Sequence, residues 1–290
     1  MVTMEAFWSV RRPVSALHAG DHAWLACSGA EEHEHVVGAF VRDGLLAREK
    51  VVYVAAEPEP RIPGVVGTPS PELLTVLHAG HTGPRKALDA VTAEVEAAEC
   101  AGFAGVRVTL DLTCAARDPE LTRELMACDA ALDHLVRPSA ALSVLCRVDR
   151  RRVPPDAVDL LRAAHSVHAA PDPDFEDTVL RIVRTFDPRG LELSGELDAS
   201  RHTVLDQALA TVLAHGDDGP VHLDLAELRF IDLGALNMLA EVASRRAGRA
   251  PLVLDRMPSQ LHEVIATVGW NMLPGLEVGR AAVLDPVPRP

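Results

Sequence analysis

Short apolar runs alternate with amphipathic stretches through the first half of the chain. Residues 22–27 (HAWLAC), 51–56 (VVYVAA), 106–110 (VRVTL) and 141–146 (ALSVLC) have the length and composition of buried strands. After the first run, Ser28 offers an N-cap with Glu31 three residues on, and the helix it starts puts Val36, Val37, Phe40, Val41 and Leu45 on one face. Pro58, Pro60, Pro63, Gly64 and Gly67 then break regular structure. A helix is expected near 71–78 and a longer one over 84–100, closed by Gly102 and Gly105. Asp118 before Pro119 begins another, with Leu121, Leu125, Leu132 and Leu135 inside, and a last helix covers about 155–165. Residues 1–17 carry no firm pattern. The alternation predicts an α/β domain with a mainly parallel sheet.

The stretch 171–177 (PDPDFED) is acidic and Pro-rich and suits a domain boundary. We read residues 1–170 as one domain, 171–178 as a linker and 179–290 as a second, smaller domain. In the second, 180–184 and 190–195 are strand-like, with a turn at Asp187-Pro188 between them. Ser200 is placed to cap a helix whose stripe is Val204, Leu205, Ala208, Leu209, Val212 and Leu213. A turn over 216–220 leads into 221–245, a buried strand followed by Asp232 and a helix with Leu236, Leu239, Ala240 and Ala243 inside. A strand over 251–254 and a helix with Leu261, Val264, Ile265 and Val268 complete an expected order β-β-α-β-α-β-α.

Composition narrows the function. The chain has 290 residues and a formal charge of −14, which argues against direct nucleic-acid binding. The one dense basic run, 147–152, is read as a solvated surface. Aromatics are 3%, so Leu, Val and Ala must fill the cores. No apolar segment approaches the ~20 residues of a membrane span, and no signal peptide is evident, so a cytoplasmic protein is expected. Cys27, Cys100, Cys114, Cys128 and Cys146 form neither a disulfide framework nor a CxxC pair.

Two resemblances follow from quoted blocks. The segments LELSGELDAS and VHLDLAELRFIDLGAL, with a late strand and helix ending at Val268-Gly269, resemble the STAS domain of anti-sigma factor antagonists. That family usually has a phosphorylatable Ser or Thr after the Asp, whereas this chain has Leu233. The resemblance implies a surface for an anti-sigma factor or serine kinase-like partner at Ser194, Asp198, Asp232, Leu233, Gly234 and Asn237, without the covalent switch. Asp232 is equally readable as a helix cap. The runs HAWLACSGAEEHEHVVGAFVRDGLLAREKVVYVAAEPEP and ALSVLCRVDRRRVPPDAVDLLRAAHSVH resemble the MEDS sensory domain. This implies a sensor for a small organic, hydrocarbon-like ligand, with His22, Arg107, Cys146, Asp149, Arg150 and His165 best placed to meet it. Sensors of this type often dimerise, so a homodimer is an expectation as well.

The residues have their own chemistry. Cys146 and Asp149 end an apolar strand, where parallel sheets place ligands. Arg107 lies within a strand and needs a carboxylate or ligand partner, with Asp149 and Asp111 the nearest candidates. His18 and His22, His78 and His81, and His165 and His168 are three or four apart, and His33 and His35 flank one residue. Without an HExxH motif or a Cys pair they read as surface histidines, and no metal or cofactor is assigned. Two other classes compete with a sensor–output regulator. One is a metal, haem or redox sensor using the histidines and cysteines. The other is a degenerate nucleotide-binding enzyme, against which stands the absence of a GxxxxGK[ST] loop, a GxGxxG turn and a GxSxG elbow.

Overall fold

The computed structural model describes residues 9–79, 83–214 and 219–279. It divides into two compact units between Pro171 and Asp172.

The described residues of the first unit form a seven-stranded sheet in the order β1-β7-β2-β6-β5-β3-β4, parallel throughout. Its strands are β1 (Val10–Pro13), β2 (His22–Cys27), β3 (Lys50–Ala55), β4 (Leu74–His78), β5 (Val106–Asp111), β6 (Leu142–Asp149) and β7 (Val167–Ala170). Helices cover both faces, and this is why β3 and β6 read as unbroken apolar runs rather than as alternations. One face packs Leu25, Tyr53 and Leu145 against Val37, Phe40 and Val41 of the helical stretch after β2. The opposite face packs Val54, Leu110 and Cys146 against α3 (Pro84–Cys100), α5 (Pro119–Val136) and α6 (Pro155–Ala164). A short α4 (Thr113–Ala116) precedes α5, and Asp118 caps α5 by accepting from the amides of Glu120 and Leu121.

Several expectations are corrected. The segment expected as a helix near 71–78 holds β4, whose five residues pair in parallel with β3. Residues 10–13 and 167–170 add strands where the pattern was silent. The helix after β2 is three pieces: α1 (Ala30–Glu32), a π turn at His33–Val37 and α2 (Gly38–Leu46). Its N-cap is Gly29, while the Ser28 hydroxyl and amide both donate to Glu32 at 2.6 Å. Gly64, in the left-handed region, lies against this helix, and a Cβ there would come 2.0 Å from the Gly38 carbonyl. Arg147, expected on a solvated surface, is 4% exposed. His81 lies outside the described residues, as does part of the expected 216–220 turn.

In the second unit a mixed sheet runs β13-β12-β11-β10-β9-β8. The strands are β8 (Pro173–Glu176), β9 (Leu180–Phe186), β10 (Arg189–Leu197), β11 (Val221–Ile231), β12 (Leu252–Asp255) and β13 (Leu276–Val278). The stretch expected as a linker, 171–178, thus contributes an antiparallel edge strand, and β13 closes the other edge in parallel. Helices α7 (His202–Ala214), α8 (Leu233–Arg245) and α9 (Ser259–Thr267) share a core with alternate strand positions such as Leu191, Leu193, Leu223 and Leu225. The residues between them, His222 and Asp224, face away and pair with Asp255 and Arg256. Such alternation is the mark of a sheet covered on one side. A 3-10 turn (Ala199–Arg201), capped by Asp198 rather than Ser200, leads into α7. Among the described residues no helix is long and apolar enough to cross a membrane.

Candidate functional site

The sheet of the first unit brings three of the six expected ligand residues together. His22 is the first residue of β2, Cys146 lies in mid-β6, and His165 follows α6. His22 Nε2 stands 3.2 Å from Cys146 Sγ and 3.2 Å from His165 Nε2. A fourth member, Asp129 of α5, puts Oδ1 3.4 Å from both histidine Nε2 atoms and 3.8 Å from the thiol. All four are buried, which corrects the expectation of surface histidines for His22 and His165. Asp129 was not anticipated. It follows Leu125 by four residues and precedes Leu132 by three, so helical spacing already sets it on the buried face of α5.

Burial favours protonation of Asp129, but the His165 and His22 rings beside it outweigh this and hold the carboxyl far below its usual range. Burial, reinforced by Asp129, pushes the Cys146 thiol well above its ordinary value. Cys146 and Asp129 also line an apolar cavity of about 130 Å³. Its other walls include Val54, Leu110, Leu121, Leu125 and Leu132.

The remaining expected residues lie elsewhere. Arg107 points to the other sheet face, where it pairs with Glu49 rather than Asp149 or Asp111 and stacks over Phe40 at 5.2 Å. Asp149 lies beside a second cleft of about 300 Å³ together with Cys27, His33, Tyr53, Asp111 and Arg147. Arg150 is exposed, its amide donating to the Cys27 carbonyl at 3.0 Å. In this cleft Arg147 donates to Asp111 at 2.8 Å and to the Thr109 hydroxyl at 3.2 Å, and lies 4.8 Å from the Tyr53 ring centre. Burial raises Asp111, but Arg147 and hydrogen bonds from Thr113 overcome it and leave the carboxyl below its ordinary value. Burial, then Arg147, lowers His33 to about 4, and burial, then Glu32, lifts Cys27 to about 12.

In the second unit Asp232 caps α8, accepting from the Ala235 amide at 2.7 Å and from His202 Nε2 at 2.8 Å. Gly234 leaves room for that histidine, since a Cβ there would come 2.4 Å from the ring. Leu233, at the start of α8, is 63% exposed and Phe230 51% exposed. They line a groove of about 280 Å³ with Leu236, Leu261 and Val264. Asn237 is exposed one turn along α8, and Ser194 is a partly buried residue of β10. Asp198 is committed to Ser200 and Arg201.

A family model for the MEDS domain, described as the methanogen/methylotroph, DcmR sensory domain, matches residues 21–166. A model described as Mlab, STAS domain, matches residues 180–276. No curated protein matches the chain.

Proposed function

The chain belongs to the MEDS sensory-domain family and carries a STAS domain behind it, and from this we propose that a small organic molecule bound in the first unit governs docking of the second on a partner protein. Both domain types are regulatory or sensory rather than catalytic, so the protein is a signalling regulator. The observation that carries the ligand reading is the apolar cavity with Cys146 and Asp129 in its wall. A dry apolar cavity of about 150 Å³ accepts benzene in a well-studied engineered protein. A space near 130 Å³ therefore suits a ligand of only a few carbon atoms, with one polar group for Asp129 or Cys146. His22 and His165 act behind these two, and Arg107, Asp149 and Arg150 have no part in this pocket.

In this reading the partner is an anti-sigma factor or serine kinase-like protein, and the output is a change in transcription. The groove beside Phe230 and Leu233 supports the docking half: an exposed apolar patch beside a capped helix start suits a protein partner. With Leu233 in place of a hydroxyl residue, docking proceeds without phosphorylation at that position. Asp232 supplies the cap, Gly234 the clearance for His202, and Asn237 a polar contact at the rim.

Thermal unfolding with a panel of small hydrocarbon-derived compounds tests the first half. A true ligand at 100 times its Kd adds about 2.7 kcal/mol of stability. Leu125→Trp, which fills the cavity, is expected to abolish that gain while wild type keeps it. A panel without any such compound sinks the ligand reading. For the second half, Leu233→Arg is expected to release a partner that wild type captures, and equal capture by both would rule the groove out.

A further inference from the structure

His22, Asp129, Cys146 and His165 each offer one donor atom, and all four atoms lie within 4.8 Å of one another. Acceptors outside the group favour a proton on Nδ1 of both histidines. His165 Nδ1 lies 2.8 Å from the Leu161 carbonyl, which can only accept, so the proton is there. His22 Nδ1 faces the Asp133 carboxylate at 3.5 Å. Neutral imidazoles so arranged turn two Nε2 lone pairs toward each other across 3.2 Å. The Asp129 oxygen adds a third acceptor, and the single thiol proton of Cys146 satisfies only one of the three. Converging acceptors in a dry interior need a positive centre between them.

The spacing fits a metal ion as that centre. Tetrahedral bonds of about 2.0–2.1 Å to nitrogen and oxygen and 2.3 Å to sulfur set ligand atoms roughly 3.3–3.6 Å apart. Five of the six separations are 3.2, 3.2, 3.4, 3.4 and 3.8 Å, and the sixth, Cys146 to His165, is no more than 4.8 Å, so a bound ion needs the thiol to draw in slightly. The charges fit as well: a divalent ion, a thiolate, a carboxylate and two neutral imidazoles sum to zero, so no net charge is buried. Leu161 and Asp133 supply the outer hydrogen-bonding groups that orient metal-bound histidines.

We propose that His22, Asp129, Cys146 and His165 form a mononuclear, four-coordinate site for a divalent transition-metal ion of the zinc type. Binding forms the metal–sulfur bond as the Cys146 S–H gives its proton to solvent. Because Cys146 and Asp129 also line the apolar cavity, the ion forms the polar end of that space; this last point rests on the ligand reading above, whereas metal binding itself does not.

The test uses the full chain, stripped with a chelator under reducing conditions and titrated with Co²⁺ alone. One equivalent per chain is expected to bind, with the strong visible bands of tetrahedral cobalt and a near-ultraviolet thiolate-to-metal band. Zn²⁺ should displace it. Cys146→Ser should lose the thiolate band, and Cys114→Ser should keep it. Asp133→Asn, a partly exposed position outside the ligand set, should weaken binding about 10–100-fold and covers the event that Cys146→Ser does not fold. Wild type that retains well under one equivalent of Co²⁺ and Zn²⁺ after gel filtration overturns the proposal. So does a thiolate band surviving in Cys146→Ser, or full affinity in Asp133→Asn. No organic ligand enters this titration, so its failure leaves the cavity reading standing, and failure of the compound panel leaves the ion standing.

Discussion

Each unit sets histidine against aspartate, and the two settings differ in depth. In the first, the His22 side chain is 4% exposed and Asp129 5%, with His165 closing the group. In the second, His202 and Asp232 meet at 2.8 Å with side chains 26% and 25% exposed. The interior group sits among Trp24 and Leu residues, so water cannot repair a broken contact there. The surface pair borders solvent, and its aspartate already has a second task as a helix cap. The depth of a polar group, more than its chemistry, therefore sets what its loss costs.

Four substitutions or conditions probe that contrast. The largest effect is expected at Arg147→Met, which strands Asp111 beside Tyr53; urea unfolding should show a loss of about 3 kcal/mol. A loss below about 1 kcal/mol would mean that water reaches this cleft freely and would erase the distinction. Next comes pH. His33 titrates near 4 in the fold against 6.5 in a free chain, so the unfolded state takes up the proton first as pH falls. Stability should be full above about 6.5 and decline toward 4, by about 2 kcal/mol once partial solvent access is counted. Comparing wild type with His33→Gln across that window isolates the term, and an unchanged slope would assign it to other groups. A smaller change, about 1 kcal/mol, is expected for Asp232→Ala, through loss of the α8 cap. The smallest belongs to His202→Gln, under about 1 kcal/mol, because Asp232 keeps its bond to Ala235. Equal losses for His202→Gln and Asp232→Ala would place the stability in the ion pair instead of the cap, since Asp232→Ala removes both.

The same contrast explains what could be read from the chain. Strands such as β3 and β6 were legible because a sheet covered on both faces demands apolar residues at every position. β4 was not, because a run as short as Leu73-Leu74-Thr75-Val76-Leu77 suits either period and only its pairing with β3 decides. Cys146, His22 and His165 were singled out by resemblance, yet their meeting depends on β2 lying beside β6 and on the end of α6. Asp129 went unnoticed despite its spacing, since a carboxylate amid a charged helix passes for surface until its partners are known. Arg147 was hidden in the same way by its neighbours Arg150, Arg151 and Arg152. At the second site Asp232 was legible, because a helix cap is a local matter of a few residues. The exposure of Phe230 was not, since a bulge at Arg229 breaks the alternation that would turn Phe230 inward with Leu228.

If the groove docks a partner as proposed, Leu233 gives the second unit a grip that responds to heat rather than to ions. Contacts made by Leu233 and Phe230 bury oil-like surface, so complex formation there should carry a negative heat-capacity change and loosen on cooling. Added salt, which screens charged surfaces within about 10 Å, has little purchase on such a contact. On that proposal, chilling alone would weaken the complex, whatever the first unit binds.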